Sequence, residues 1–164
     1  MPSRDINPLR EVVVGALAGV GAAFLMNGFQ ALWAKAGLPG AESGGDESGG
    51  APAKAADLVA EPVTGAPVPA EARQQAASAV HYATGAALGV AYAVLASSLR
   101  GATLGKGVPF GAAVYLALDE GLVPALRLGP PKEETPDKQR VYAVISHLVF
   151  GFSTYSLRKL LGGR

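Results

Sequence analysis

Asn27, His81, Asp119, Glu120 and His147 are the polar residues of this chain whose types and surroundings could do chemistry. Asp119 and Glu120 are neighbours inside P-F-G-A-A-V-Y-L-A-L-D-E-G-L-V-P, Pro109 to Pro124, an otherwise apolar run. Carboxylates are costly where hydrocarbon surrounds them, so a pair kept there is either a functional site or a paired structural one. Three chemistries suit such a set. The first is a polar lock, in which imidazole and carboxylate hydrogen-bond to fix helix register. The second is proton or cation handling, with a desolvated carboxylate and imidazoles as relay groups. The third is a metal site for zinc or iron, with His81, His147, Asp119 and Glu120 as weak candidate ligands. The spacing does not demand a metal, because Glu-x-x-His and His-Glu-x-x-His are both absent.

Other chemistries find little support. There is no cysteine, which removes disulfides, thiolate catalysis and thiolate metal sites together. Ser97, Ser98 and Ser146 lack the context of a nucleophile elbow, and the tyrosines read as packing or interfacial residues. Gly15-x-x-x-Gly19 and Gly85-x-x-x-Gly89 have neither the strand nor the lysine of a phosphate loop; with Gly151 they read as helix-packing positions. No catalytic motif is visible, so the expectation is a protein that is not an enzyme and carries no cofactor. A net charge of +1 gives no basic field for nucleic acid.

The elements that must position the polar set are apolar helices. Hydrophobic residues make up 49% and charged residues 16% of the chain, with 22 glycines, a mixture suited to helices packed closely in a bilayer. Val12 to Ala34 contains no charged residue and is long enough to span. Arg4 and Arg10 before it and Ala34-Lys35-Ala36 after it also resemble a signal peptide, but the run is longer than a usual signal core and Trp33 ends it like an interfacial anchor. An uncharged run after Arg73 and largely apolar runs around Pro109 to Leu126 and from Val141 to Leu161 supply three more helices. The fold expected is an all-α four-helix transmembrane bundle, with helices at about 10–35, 73–99, 107–127 and 141–161. Residues 1–36 form the N-terminal tail and first span, 37–72 a Gly/Pro-rich extracytoplasmic linker, disordered to about Ala53, and 73–164 the three-helix remainder of one membrane domain. Asp57-Leu58-Val59-Ala60 reads as a short amphipathic turn at the membrane surface. Arg158 and Lys159 are expected to snorkel at the end of the last helix.

Four spans put both termini on one side. Seven bases lie in the short termini and the Gly101 loop; seven more on the other side are diluted through longer loops with nine acids. Base density thus places the termini in the cytoplasm. Counted at about 1.5 Å per residue, the five polar residues all lie about 10 Å below the outer helix ends. His81-x-x-x-Gly85 and His147-x-x-x-Gly151 repeat one pattern, as expected if helices one and two and helices three and four form a parallel internal repeat. Pro124 cannot donate to the Glu120 carbonyl, so a kink is expected beside the acid pair.

H-Y-A-T-G-A-A-L-G-V-A-Y, F-G-A-A-V-Y-L-A-L-D-E-G-L-V-P-A-L and H-L-V-F-G, in that order, resemble the YagU-like family of small bacterial inner-membrane proteins, a domain of unknown function. The resemblance covers roughly Val12 to Leu161. It implies a helical inner-membrane protein and supplies no catalytic residues. Taken together, the expectations are a structural or stress-related membrane protein, with a small proton or cation conductor and an intramembrane metal-binding protein as alternatives. Its partners would be membrane lipid and, through the glycine faces, a second copy of itself.

Overall fold

In a computed structural model, residues 8–41, 50–99 and 101–162 are described. Five helices account for most of them, and there is no strand among the described residues: α1 (Pro8–Lys35), α2 (Gly50–Thr64), α3 (Arg73–Ser98), α4 (Leu104–Ala125) and α5 (Asp137–Leu160). α4 is composite, with a 3-10 opening at Leu104–Gly107, an α stretch at Val108–Ala117, a π turn at Leu118–Leu122 and a last α turn at Val123–Ala125. Three helices are long and apolar enough to cross a membrane: α1, α3 with its preceding turn (Ala70–Ser98), and α4. Large apolar side chains such as Leu17, Phe24, Leu32 and Leu116 face outward along them. That is the surface expected of helices that meet lipid.

The expected count of four helices is corrected in two ways. α2 is an additional helix, formed where the 37–72 linker was expected to be irregular, and it includes Gly50 to Ala53. It buries Ala53 and Ala56, and Asp57 hooks it to α3 by an ion pair with Arg73 and by accepting the Val68 N–H at 2.9 Å. The expected turn at Asp57–Ala60 is thus part of a longer helix. The expectation of disorder over 42–49 lies outside the described residues, as do the basic flanks at Arg4, Arg100 and Arg164. The second correction is that α5 falls short of a spanning composition, because it carries Ser146, His147, Ser153, Thr154 and Arg158. All five are buried inside the bundle.

α1 packs against both α3 and α5, and α4 packs on α5. The chain thus forms two hairpins, α1–α3 and α4–α5, joined along α1 and α5. Each hairpin closes on a seam of small residues. A Cβ on Gly15 would lie 2.7 Å from the Gly89 carbonyl oxygen, and one on Gly89 would lie 2.6 Å from Gly19 Cα. In the second hairpin a Cβ on Gly151 would lie 2.7 Å from Gly111 Cα, and one on Gly111 would lie 2.9 Å from the His147 carbonyl carbon. The registers correspond. Gly19 meets Gly85 and Gly89 as Gly107 meets Gly151 and Tyr155, so His81 and His147 sit one turn along from equivalent contacts. Only residues without a side chain allow backbones this close.

Between the hairpins, Ala22, Ala23, Met26 and Phe150 form a buried cluster with Tyr82, Leu88, Phe110 and Leu157 against it. The remaining edge, between α3 and α4, closes where Tyr92 stacks on Phe110 with centroids 4.8 Å apart. Beyond that pair, toward Gln74 and Leu122, the edge parts. Replacing Gly89 by alanine should overpack the α1–α3 seam, costing about 1–3 kcal/mol and lowering the unfolding midpoint in detergent. Gly28→Ala, where nothing lies within 4 Å of the added methyl, should be neutral or stabilising by about 1 kcal/mol through helix propensity. Thermal melts of the two variants side by side check this.

Candidate functional site

The site lies on the parted edge. In the π turn the Val123 N–H donates to the Leu118 carbonyl, five residues back rather than four. This widened turn comes just before Pro124, and it is the form taken by the interruption expected there. Such a turn inserts one extra residue and rotates what it carries about the helix axis, here Asp119 and Glu120. The two acids then find different partners. Asp119 Oδ2 lies 3.6 Å from His147 Nδ1 on α5, whereas Glu120 Oε1 accepts a 2.6 Å hydrogen bond from the Tyr115 hydroxyl on its own helix.

His147 is held by its own helix as well. Its Nδ1 lies 2.9 Å from the Ala143 carbonyl oxygen, so that nitrogen carries a proton and donates it there, while the Asp119 carboxylate stands beyond hydrogen-bond distance of it. Tyr115 meets the imidazole edge to face at 5.9 Å. Across the gap, His81 stands on α3 with its Nε2 buried and without a hydrogen-bond partner. Asn27 donates to the Tyr82 hydroxyl at 3.3 Å, tying α1 to α3.

Asn27, His81, Asp119 and His147 all line one half-open cavity of about 490 Å³, within the usual range for small-molecule pockets. It runs from Gln74 and Gln139 in the first turns of α3 and α5 to Leu88 and Phe150 further along, with Gly50, Ala51, Pro52 and Ala55 of α2 also on its wall. Glu120 is not on its wall. Among the described residues, no three His, Asp or Glu side chains converge to hold a metal ion. Gly15, Gly19, Gly85, Gly89 and Gly151 all lie at backbone contacts within the hairpins.

The residues 68–155, more than half of the chain, match the model of a family described as a protein of unknown function, DUF1440. The chain belongs to the DUF1440 family. The match is narrower than the Val12 to Leu161 resemblance: it takes in α3, α4 and most of α5, hence His81, Asp119, Glu120 and His147, and leaves out α1 with Asn27. No curated protein and no solved structure matches the chain. Membership in DUF1440 therefore supplies no chemistry, and the geometry must do so.

Several contributors were not read from the sequence. Tyr115 and Tyr82 carry the bonds to Glu120 and Asn27, and Thr84 and Tyr142 line the cavity. Tyr115 stands five residues before Glu120, opposite it on a regular helix; the extra residue of the π turn changes that angle. At the other end of the bundle the snorkelling expected of Arg158 is corrected. Arg158 is 1% exposed and donates to Glu11 Oε2 at 2.8 Å, from the last turn of α5 to the first turn of α1. The sequence hint was an acid and a base in the terminal turns of two helices that both end on one side. Breaking this buried pair at one partner leaves a charge uncompensated. Glu11→Leu or Arg158→Met should each cost about 3–5 kcal/mol, and the two combined should recover much of that loss. A double-mutant cycle on unfolding midpoints checks it.

Proposed function

We propose that the chain is a YagU-like integral protein of the bacterial inner membrane with four spans and cytoplasmic termini, whose polar layer frames a solute-binding pocket open to the outer side. α5 serves as the fourth span. Its polar residues are turned into the bundle while Val141, Phe152 and Leu160 face outward, so its low mean hydropathy reflects the interior rather than the lipid face. The Asp119–His147 contact has a structural share in this reading, since it ties α4 to α5 beside the cavity.

The observation that carries the proposal is the shape of the cavity. Asp119, His81, His147 and Asn27 stand on its walls in the outer half, while the glycine seams, the Phe150 cluster and the Tyr92–Phe110 stack close the bundle below. A space lined by polar groups toward one end and bounded by packed side chains at the other suits a bound molecule better than a through path. A polar lock alone would be served by direct side-chain pairing and needs no room, whereas here Asp119 and His147 stand 3.6 Å apart on the wall of an open space.

Because the chain has no cysteine, single thiols report access without background. Thr84→Cys should react with a membrane-impermeant maleimide added outside intact cells, and Ala18→Cys, whose side chain is fully buried, should not. Protection of the thiol introduced by Thr84→Cys from outside reagent would sink the outward-open pocket. In sealed vesicles, the protein should dissipate a pH gradient no faster than empty vesicles. Dissipation that Asp119→Asn abolishes would transfer the site to proton conduction.

A further inference from the structure

We propose that the pocket takes an organic monocation with an apolar body, such as a lipophilic ammonium or phosphonium. The inference rests on the pocket reading above and names the chemical class of its occupant. Three observations point the same way.

The first is charge. Among the described residues, Asp119 is the only acid on the cavity wall, and no lysine or arginine lines it. Its one ionic contact is the long one to His147, whose N–H is already directed at the Ala143 carbonyl. A carboxylate in apolar surroundings with so little compensation gains from a cation brought to it, and more so in a low dielectric.

The second is the chemistry of the remaining walls. They are mostly apolar, with Met26, Leu88, Val114, Leu118 and Phe150 among them, and the aromatic residue Tyr142 is also on the wall. A bare metal ion or alkali cation needs several oxygen ligands in place of water, and no such set converges among the described residues. A cation that carries its own apolar shell needs only one counter-charge, apolar contact and a ring for cation–π attraction.

The third is the way in. The α3–α4 edge is held by Tyr92 and Phe110 near one end and parts above them, so the cavity lies along the edge between two helices that face outward. An amphiphile could enter from the outer leaflet without crossing water. α2, pinned to α3 through the Asp57–Arg73 ion pair, contributes Gly50, Ala51 and Pro52 to the wall.

Trp33 reports binding, because it is the only tryptophan in the chain and its ring lies 5.8 Å from that of Tyr142, a wall residue. Full-length protein in lipid nanodiscs is titrated with tetraphenylphosphonium and, separately, with tetraphenylborate, which has the same shape and the opposite charge. The expected result is a saturable change in Trp33 emission with the cation and at least tenfold weaker binding of the anion. Asp119→Asn should weaken cation binding at least tenfold while its helical circular dichroism stays that of the wild type. Ser78→Phe, which fills the cavity from the α3 wall and leaves Asp119 in place, should abolish it too, so the test survives if Asp119→Asn fails to fold. Equal binding of cation and anion, or cation binding indifferent to Asp119→Asn, overturns the cation inference while leaving the pocket intact. Absence of saturable binding by either ion overturns the inference as well, and labelling at Thr84→Cys then tells whether the pocket itself stands.

Discussion

The close approach of backbones along the two glycine seams is the constraint on which the rest of this structure depends. In a bilayer, helices gain no hydrophobic free energy by leaving lipid for one another, so association rests on dense van der Waals contact and on polar bonds. Gly15, Gly19, Gly85 and Gly89 bring α1 and α3 together until there is no room for a methyl group, and Gly107, Gly111 and Gly151 do the same for α4 and α5. Tight hairpins leave bulky and polar groups nowhere within their seams. Those groups collect between the hairpins, where α1 and α5 close on a core and α3 and α4 do not.

The two hairpins use one register, and the bundle departs from symmetry at its outer edges. If one hairpin is laid on the other, the α1–α5 contact corresponds to the α3–α4 contact, yet the first is closed along its length and the second holds the cavity. The π turn supplies a physical reason on the α4 side. It has no counterpart in α1, which runs from Pro8 to Lys35 as one α-helix. The same turn sends Asp119 to the cavity wall and Glu120 to Tyr115.

Charge is handled in opposite ways at the two ends. Arg158 and Glu11 meet at hydrogen-bond distance with both side chains almost wholly buried, an arrangement that pairs their charges and staples α1 to α5. Asp119 and His147 meet at a longer distance with the carboxylate about one-third exposed to the cavity. The Glu11–Arg158 pair is spent on structure. The Asp119–His147 pair is held less closely.

Apolar runs, the absence of charge between Val12 and Ala34, and the Gly-x-x-x-Gly spacings were enough to determine from the sequence alone that the chain is helical and suited to a membrane, because length and hydrophobicity act locally. That Asn27, His81, Asp119, Glu120 and His147 stand on helices was legible for the same reason. Azimuth was not. Which way Asp119 and Glu120 point hangs on one extra residue in a turn, which of two helices Arg158 faces hangs on how the hairpins join, and α2 forms where composition read as linker because Ala53, Ala56 and Asp57 find partners on α3. Only tertiary packing decided these, for it sets the angles between helices that a linear spacing leaves open, and it was packing that left a cavity beside one of the two acids the sequence had singled out as costly.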